Sequence, residues 1–340
     1  MELDRLLFEV SRPARYTGGE WNSVVGDWDR ARLRVALVFP DLYEVGMSNL
    51  AIPILYHLLN SLPGVVAERA YAPWEDMAAA LRRRRLPLFS LESRRPLREF
   101  DVVGFSLGYE LAYTNLLEVL DLAGLPVLAR ERDGSHPLVL AGGSTSLNPE
   151  PMADFVDLFL LGEAEEALPG LARLLAEMKG APRGEVLGAA ARLPGVYVPR
   201  FYEAEYHADG TLRAFGPTHP SAPARVQRQM VEKLPPPTTR LIVPYVEAVH
   251  DRGMVEVQRG CSRGCRFCQA GVIYRPVRER PAAEVIAGVE EVMAGCGYSE
   301  VALVSLTTSD YPGVEEVVRE LARRHPDLLI SLPSLRMDES

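Results

Sequence analysis

The chain has 340 residues, of which 47% are hydrophobic and 24% charged, and its formal net charge is -9. This composition is typical of a soluble globular protein and excludes a disordered or collagen-like chain. At roughly 100 to 200 residues per domain, the length predicts two domains. The apolar stretch 153–162 contains two aspartates and falls short of the roughly 20 residues of a membrane span, so no membrane helix is expected.

The amino-terminal segment 1–31 is predicted to be an extension that precedes the first domain. Its first 15 residues mix acidic and basic side chains with apolar ones, so no apolar core of a signal peptide is present. The expected compartment is therefore the cytoplasm.

Residues 32–180 alternate short apolar runs with amphipathic stretches. Strands are predicted at 33–39, 65–71, 101–107, 137–141 and 156–161, and helices at 48–61, 74–84, 111–122 and 165–179. This alternation predicts an α/β domain whose Rossmann-like parallel sheet is covered on both faces. Ligands of such sheets bind at the carboxyl ends of the strands, which here are followed by the loops 40–48, 108–110 and 142–151.

Residues 181–251 are rich in proline and are interpreted as a connector. Asp209 and Gly210 form a turn signal between two strand-like runs, which predicts a β-hairpin over 201–215. Between positions 220 and 280 there are eleven Lys or Arg and five Asp or Glu, a net charge of +6 that leaves -15 for the rest of the chain. Such a stretch either attracts an anionic ligand or nucleic acid, or is a solvated arginine-rich surface.

A second alternating unit occupies 252–340. Strands are predicted at 254–259, 300–306 and 328–332, and helices at 282–294 and 314–324. This βαβαβ order is the beginning of a parallel barrel or open sheet, and three strands cannot close a barrel. The sequence is therefore interpreted as truncated, the alternative being that the last unit borrows partners.

Three of the four cysteines lie in one loop directly after the first strand of this unit. Cys261, Cys265 and Cys268 have the spacing Cys-x3-Cys-x2-Cys, which can present three thiolates to one cubane cluster and leave its fourth iron without a protein ligand. The alternatives are a structural zinc site, which needs a fourth ligand, or three buried thiols. Cys296 ends a predicted helix and is interpreted as a small core residue.

This motif, with an aromatic residue just before its last cysteine, resembles that of the radical S-adenosylmethionine (radical SAM) enzymes over about 254–340. The resemblance implies a 4Fe-4S cluster on Cys261, Cys265 and Cys268 and S-adenosylmethionine on its free iron. It also implies reductive cleavage to a 5′-deoxyadenosyl radical and a reductant such as flavodoxin or ferredoxin. Phe267 is implied to lie against the cluster or the adenine, the alternative being ordinary packing of the loop.

The chain departs from that family after the second strand. Many members carry a Gly-Gly-Glu-like segment there for the ammonium of the cofactor, whereas this chain has the sequence Ser-Leu-Thr-Thr-Ser-Asp. The oxygens of Ser305, Thr307 and Asp310 are the candidate acceptors, a hypothesis from position only. Arg336, near the end of the third strand, is either a contact of the cofactor or part of the loop surface.

The domain over 32–180 resembles the cobalamin-binding domains that precede one branch of radical SAM units. Three segments carry this resemblance: an Asp-x-His-x-x-Gly-like loop, a Ser-x-Leu element and a glycine pair, contributing Asp41, Tyr43 and Gly46, then Ser106, then Gly142 and Gly143. Tyr43 stands where histidine would ligate cobalt, so either cobalamin binds without a protein imidazole or the domain has lost it. A flavodoxin-like or nucleotide-binding domain is the structural alternative.

The whole order of elements resembles a family of uncharacterised bacterial cobalamin-binding radical SAM proteins, whose members are longer. The resemblance implies hydrogen abstraction from an unactivated carbon and methyl transfer to it by cobalamin. The catalytic residues and the substrate stay unknown; RNA or another anion would suit the basic stretch. The rival hypothesis is an iron-sulfur or cobalamin-binding sensor or electron carrier without radical chemistry.

Overall fold

The structure is a computed structural model that describes residues 2–336. It contains two compact units. The first comprises the chain up to Gly19 together with Val24–Met230, and the second comprises Glu20–Ser23 together with the chain from Val231 onward. The predicted connector, 181–251, is thus divided between the two units.

The first unit is a parallel α/β domain. Its strands are β1 Leu33–Phe39, β2 Val65–Tyr71, β3 Val102–Ser106, β4 Leu138–Gly142, β5 Leu158–Leu160, β6 Val196–Tyr197, β7 Tyr202–Tyr206 and β8 Leu212–Pro217. Its helices are α1 Glu2–Leu7, α2 Tyr43–Met47, α3 Ala51–Asn60, α4 Glu75–Arg84, α5 Tyr113–Leu122, α6 Ala167–Glu177 and α7 Arg183–Ala190.

The main sheet has the order β2-β1-β3-β4-β5-β6, in which only β6 is antiparallel to its neighbour. The chain passes from β1 to β2 on one side and then to β3 on the other, so the direction of winding reverses between β1 and β3. In open α/β sheets this reversal leaves a crevice beyond the carboxyl ends of the two strands. Strands β7 and β8 form the predicted hairpin as a separate ribbon.

Alternate residues of β1 explain why helices cover both faces of this sheet. Leu33 and Val35 face a core with α3, α6 and α7, whereas Ala36 and Val38 face a second core with α4 and α5. Because side chains of a strand alternate between faces, seven consecutive mostly apolar residues supply both cores. The predicted parallel α/β fold is confirmed.

The second unit contains a smaller parallel sheet of order β13-β12-β9. Its strands are β9 Gly253–Glu256, β10 Gln258–Arg259, β11 Arg278–Glu279, β12 Glu300–Val304 and β13 Leu329–Ser331, and its helices are α8 Ala270–Ile273, α9 Ala282–Cys296 and α10 Val314–Arg324. Valines and leucines of β9, α9, β12 and α10 are fully buried, Val255, Val289, Val301 and Leu321 among them. The predicted βαβαβ order is present.

Four elements differ from the sequence predictions. Part of the loop 40–48 is helical, as α2, and the predicted connector contains α7 and β6, which pack against the first sheet. The prediction of one strand over 254–259 is wrong, because the strand breaks at Val257 and β10 pairs instead with β11. Among the described helices, none is both long and apolar enough to cross a membrane.

Candidate functional site

The cysteine loop of the second unit is closed at its base by backbone contacts. Gly260 has φ +92°, and a Cβ there would lie 2.5 Å from the carbonyl oxygen of Tyr274 and 2.6 Å from that of Pro276. Only glycine tolerates both the conformation and the close approach. Arg278, which is buried, donates to the carbonyls of Tyr274, Pro276 and Val231. The segment between Gly260 and Tyr274 therefore projects as one loop.

The three cysteines of this loop are free thiols. Cys265 is exposed and the other two are half-buried, and the amide of Cys268 donates to the carbonyl of Cys265 at 3.0 Å. Within residues 2–336, no three His, Cys, Asp or Glu side chains are grouped so as to hold a single metal ion. In a cubane cluster each thiolate binds a different iron, so the three thiols need not converge on one point. Three accessible thiols at this spacing are suitable ligands for such a cluster. The donor set fits such a cluster, and the assignment of the three cysteines stays a prediction.

Phe267 has no packing role in the loop. Its side chain is 92% exposed, so the interpretation that it packs the loop finds no support. An apolar ring held in solvent beside the thiols is available to a ligand.

An ion-pair group joins the cysteine loop to the ends of two strands. Arg263 Nε donates to Asp310 Oδ2 at 2.7 Å, and its terminal nitrogen donates to Oδ1. Arg336 Nη1 lies 3.7 Å from the same Oδ1. Hydrogen bonds from Arg263 lower the pKa of the Asp310 carboxyl below its ordinary value. Asp310 is therefore a carboxylate already engaged by two guanidinium groups.

A cleft of about 1230 Å³ opens at the carboxyl edge of this sheet. Its lining includes Ser262 and Arg263 of the cysteine loop, Gln258 of β10, and Thr307 and Ser309 after β12. Three buried oxygens on these side chains accept no hydrogen bond from any described residue: Gln258 Oε1, Thr307 Oγ1 and Ser309 Oγ. Buried polar atoms without partners are uncommon in native proteins. The cleft is therefore equipped to accept hydrogen bonds from a polar ligand.

Ser305, a third predicted acceptor, is used by its own loop. Its hydroxyl accepts the amide of Thr307 at 3.1 Å and lies 3.3 Å from Thr308 Oγ1. Thr308 in turn donates to the carbonyl of Pro333 at 2.6 Å. The structure thus places Ser305 among the bonds that shape the loop, and Thr307 at the cleft.

At the carboxyl edge of the first unit, Asp41 is bonded across the crevice between β1 and β3. Its Oδ1 accepts the amide of Leu42 at 2.6 Å, and its Oδ2 accepts the hydroxyl of Tyr109, which follows β3. Burial and the hydrogen bond to Asp41 raise the pKa of Tyr109, so this residue is a neutral phenol. The two loops on either side of the crevice are joined by this bond.

Tyr43 and Gly46 lie beneath that edge rather than on it. Tyr43 is 2% exposed and its ring meets that of Tyr71 edge to face at 5.4 Å. A Cβ on Gly46 would lie 2.2 Å from the Tyr71 ring, so the glycine makes room for this aromatic side chain. Tyr43 and Gly46, two of the three residues of the Asp-x-His-x-x-Gly-like segment, thus have a packing role in the core.

Ser106, Gly142 and Gly143 lie together at the ends of β3 and β4. Ser106 is buried and pairs in register with Gly142. Gly143 has φ +107°, and a Cβ there would lie 2.3 Å from the carbonyl oxygen of Leu107, so the neighbouring loop requires this glycine. Gly108 faces open space, and the buried hydroxyl of Ser146 has no partner among the described residues.

Sequence reasoning missed Gln258, Arg263 and Ser309 in the second unit and Tyr109 in the first. Arg263 lies between two of the motif cysteines and so carried a readable signal, whereas Gln258 lies in the sequence between Glu256 and Arg259, two other polar residues, and carried none. Tyr109 carried none, because its bond to Asp41 joins residues 68 positions apart.

Comparison with known proteins identifies both units. Residues 51–199 match the family model of radical SAM proteins, N-terminal, and residues 255–340 match that of the radical SAM superfamily. An uncharacterized protein of Methanocaldococcus jannaschii is 25% identical over 308 residues, which cover 89% of this chain and 55% of that protein. The chain thus spans about half the length of this relative.

Two solved structures with a similar fold are of the radical S-adenosylmethionine methyltransferase TsrM from Kitasatospora setae. One, with cobalamin and a [4Fe-4S] cluster bound, is 17% identical and has a TM-score of 0.51, over 88% of this chain and 54% of that one. The other, with tryptophan substrate and a SAM analogue bound, is 18% identical and has a TM-score of 0.52, over 87% and 52%. At these identities the likeness concerns the fold, and it confirms the predicted radical SAM architecture.

Proposed function

Because the chain carries two radical SAM family domains, we propose that it acts as a radical S-adenosylmethionine enzyme in which Cys261, Cys265 and Cys268 hold a 4Fe-4S cluster. When bound, the cluster supplies the electron that cleaves S-adenosylmethionine. The observation that carries the proposal is the shared cleft, since residues of the cysteine loop and three unpartnered buried oxygens line the same space.

The residues of the cleft have distinct roles in this proposal. Gln258 Oε1, Thr307 Oγ1 and Ser309 Oγ accept hydrogen bonds from the ammonium and hydroxyl groups of the cofactor, because each is an acceptor that the protein leaves unused. Arg263 and Arg275, which line the cleft with Glu279 and Asp310, are the guanidinium groups that would bind the carboxylate of the cofactor. Phe267 offers an exposed apolar ring to the cluster or the adenine.

Anaerobic reconstitution with iron and sulfide tests this proposal. We expect the reduced protein to show the electron paramagnetic resonance of a four-iron cluster, to change it on addition of S-adenosylmethionine, and to release 5′-deoxyadenosine. A cluster signal indifferent to the cofactor, with no 5′-deoxyadenosine formed, would refute the radical enzyme and favour an electron carrier.

We propose in addition that the carboxyl edge of the first unit binds cobalamin, which when bound supplies a methyl-carrying centre. Three features support this: the crevice between β1 and β3, the open space at Gly108, and Leu111, an apolar side chain that is 86% exposed beside it. Ser106, Gly142 and the unpartnered hydroxyl of Ser146 would lie near the ligand. Since Tyr43 is buried against Tyr71, the proposal includes no protein ligand to cobalt from that position.

Leu111→Glu tests the cobalamin site, because a charge on an apolar contact surface weakens binding. We expect the variant to lose most of the cobalamin that co-elutes with the wild type in gel filtration. Phe8→Glu is the matched control, since Phe8 is a similarly exposed apolar residue of the same unit, at 91%. Equal retention of cobalamin by both variants would contradict the proposed site.

For the whole protein we propose methyl transfer to an unactivated carbon of an anionic substrate, with RNA the first class to test and a flavodoxin or ferredoxin as reductant. The net charge of +6 over residues 220–280 supports the anionic substrate. A binding isotherm with RNA whose affinity falls steeply with salt is the expected result, and affinity independent of salt would contradict it.

A further inference from the structure

The cysteine loop is fixed at its base but reaches its neighbours at its tip through a charged side chain. At the base, Gly260 packs against the carbonyls of Tyr274 and Pro276. Toward the tip, Arg263 lies between the first two motif cysteines and is 41% exposed, and it crosses to Asp310, 47 positions away. The position of the tip relative to β12 therefore depends on this contact.

Asp310 is the better-buried partner, at 13% exposed, and it lies where three chain segments meet. Its two oxygens accept a fork of hydrogen bonds from Arg263, and Arg336, which follows β13, lies 3.7 Å away. Two-pronged arginine-carboxylate pairs are geometrically specific as well as strong. One carboxylate thus joins the cysteine loop, the end of β12 and the end of β13.

The charge of this group argues against the earlier hypothesis that Asp310 receives the ammonium of the cofactor. Both oxygens of Asp310 already accept hydrogen bonds from Arg263, and the guanidinium groups of Arg263 and Arg336 offset its charge, which weakens its attraction for a further cation. The neighbouring hydroxyl oxygens of Thr307 and Ser309 carry no charge of their own and accept no hydrogen bond from the described residues.

We propose that Asp310 is a positioning residue that holds the cysteine loop against the ends of β12 and β13, and that it does not bind the cofactor's ammonium. The role deepens the proposed function and rests on it, since the loop so held carries the three cluster cysteines. Arg263 and Arg336 are its partners in this clamp of three side chains.

The test compares Arg263→Gln, Asp310→Asn and the charge-reversed double variant Arg263→Asp/Asp310→Arg in the full chain. Hydrogen-deuterium exchange of residues 261–273 is measured first without iron. We expect each single variant to exchange about fivefold faster than the wild type, as loss of one well-formed ion pair implies. The double variant restores the attraction between positions 263 and 310 but places a second guanidinium beside Arg336, so it should recover in part, to within about threefold.

Arg252→Gln is the matched control. Arg252 Nη1 lies 3.0 Å from Glu300 Oε1 and joins the amino ends of β9 and β12, at the opposite edge of the same sheet. This variant should leave exchange of the cysteine loop unchanged. Faster exchange of the loop in Arg252→Gln, to the same extent as in Asp310→Asn, would overturn the clamp in favour of general loosening of the sheet.

The second measurement is the cofactor-induced change in the electron paramagnetic resonance of the reconstituted proteins. A clamp predicts that Arg263→Gln and Asp310→Asn both need about tenfold more S-adenosylmethionine, and that the double variant recovers in part. If Asp310→Asn alone weakens the response while its loop exchanges at the wild-type rate, Asp310 is an ammonium acceptor and the proposal is wrong. If the wild type itself gives no response, the proposed function fails, whereas the exchange rates still decide on the clamp.

Discussion

At the carboxyl edge of the first unit's sheet, most polar side chains are hydrogen-bonded within the protein, Ser146 excepted, whereas at the corresponding edge of the second unit three side chains each keep a buried oxygen that accepts no hydrogen bond from the described residues. Tyr109 donates to Asp41 across the crevice, and Ser144 and Thr145 donate to the carbonyls of Gly108 and Leu107. In the second unit, Gln258, Thr307 and Ser309 each keep a buried oxygen without a partner among the described residues.

Two parallel sheets of the same general construction thus differ in the hydrogen bonding of the polar groups that a ligand would meet. A ligand at the first edge must displace or accommodate existing hydrogen bonds, whereas a ligand at the second edge satisfies atoms whose burial already costs free energy. Removal of a hydroxyl at the first edge should therefore mainly lower the free energy of unfolding. Removal of a hydroxyl at the second edge should mainly weaken ligand binding.

The largest effect is expected from the cysteines. Replacing Cys261, Cys265 and Cys268 together by alanine should abolish iron binding after reconstitution, because no thiolate of the loop remains. Cys296→Ala is the control: its thiol is held between the carbonyls of Thr239 and Leu241. Iron and sulfide analysis would contradict the assignment if the triple variant retained a full cluster, or if Cys296→Ala lost it.

Thr307→Val should weaken S-adenosylmethionine binding about tenfold, the value of roughly one hydrogen bond in a buried site. The same change should lower the free energy of unfolding of the apo-protein by less than about 1 kcal/mol, because, among the described residues, Thr307 Oγ1 accepts no hydrogen bond and its hydroxyl interacts only with Asp310. Equilibrium dialysis and urea unfolding measure the two quantities. A clear loss of stability would show that the hydroxyl is already satisfied by the protein.

Tyr109→Phe should lower the free energy of unfolding of the first unit by about 1 kcal/mol, since it removes a hydrogen bond to a carboxylate without changing the ring. Urea unfolding followed by circular dichroism gives the value. Tyr206→Phe, at an exposed position of the hairpin, serves as the control. No difference between the two variants would mean that the first edge is as open as the second.

The smallest effect is a pH dependence at the second edge. Tyr311 is buried and donates to the carbonyl of Arg280 at 2.8 Å, and burial raises its pKa to about 12. A raised tyrosine pKa stabilises the folded state fully below the unfolded value near 10, and this contribution is lost as the pH rises through 12.

At pH 10.5 the wild type should therefore have lost about 0.8 kcal/mol that Tyr311→Phe does not lose. Comparing urea unfolding of the two proteins at pH 8 and pH 10.5 isolates this contribution from that of other tyrosines. Parallel changes in both proteins would contradict the assignment.

Much of the fold was predictable because the apolar and polar residues of each short stretch indicate whether it forms a helix or a strand. The helix over 314–324 is found as predicted, since charged residues alternate with a narrow apolar face there. The short strand β6 and the break at Val257 were not predictable, because both depend on pairing with distant residues, β5 in one case and β11 in the other. A strand of two residues is too short to show the alternation of apolar and polar side chains that predicts a strand.

The candidate site divides in the same way. The cysteines were predicted from their spacing and Thr307 from its place after a strand, and Thr307 lines the cleft beside the cysteine loop. The engagement of Asp310 by Arg263, the burial of Tyr43 and the bond between Tyr109 and Asp41 were not readable, since each is a contact between chain segments that the sequence does not bring together. Position along the chain suggested acceptors, and packing decided which of them are free.

The contact between Tyr43 and Tyr71 bears on how a cobalt ligand could arise here by mutation. Tyr43→His alone would place an imidazole at a buried position against the ring of Tyr71. Reaching the edge would need a second change at Tyr71, and each single step on that route leaves either a cavity or a buried unpaired nitrogen. The two positions should therefore vary together among descendants of this sequence, with neither substitution favoured alone.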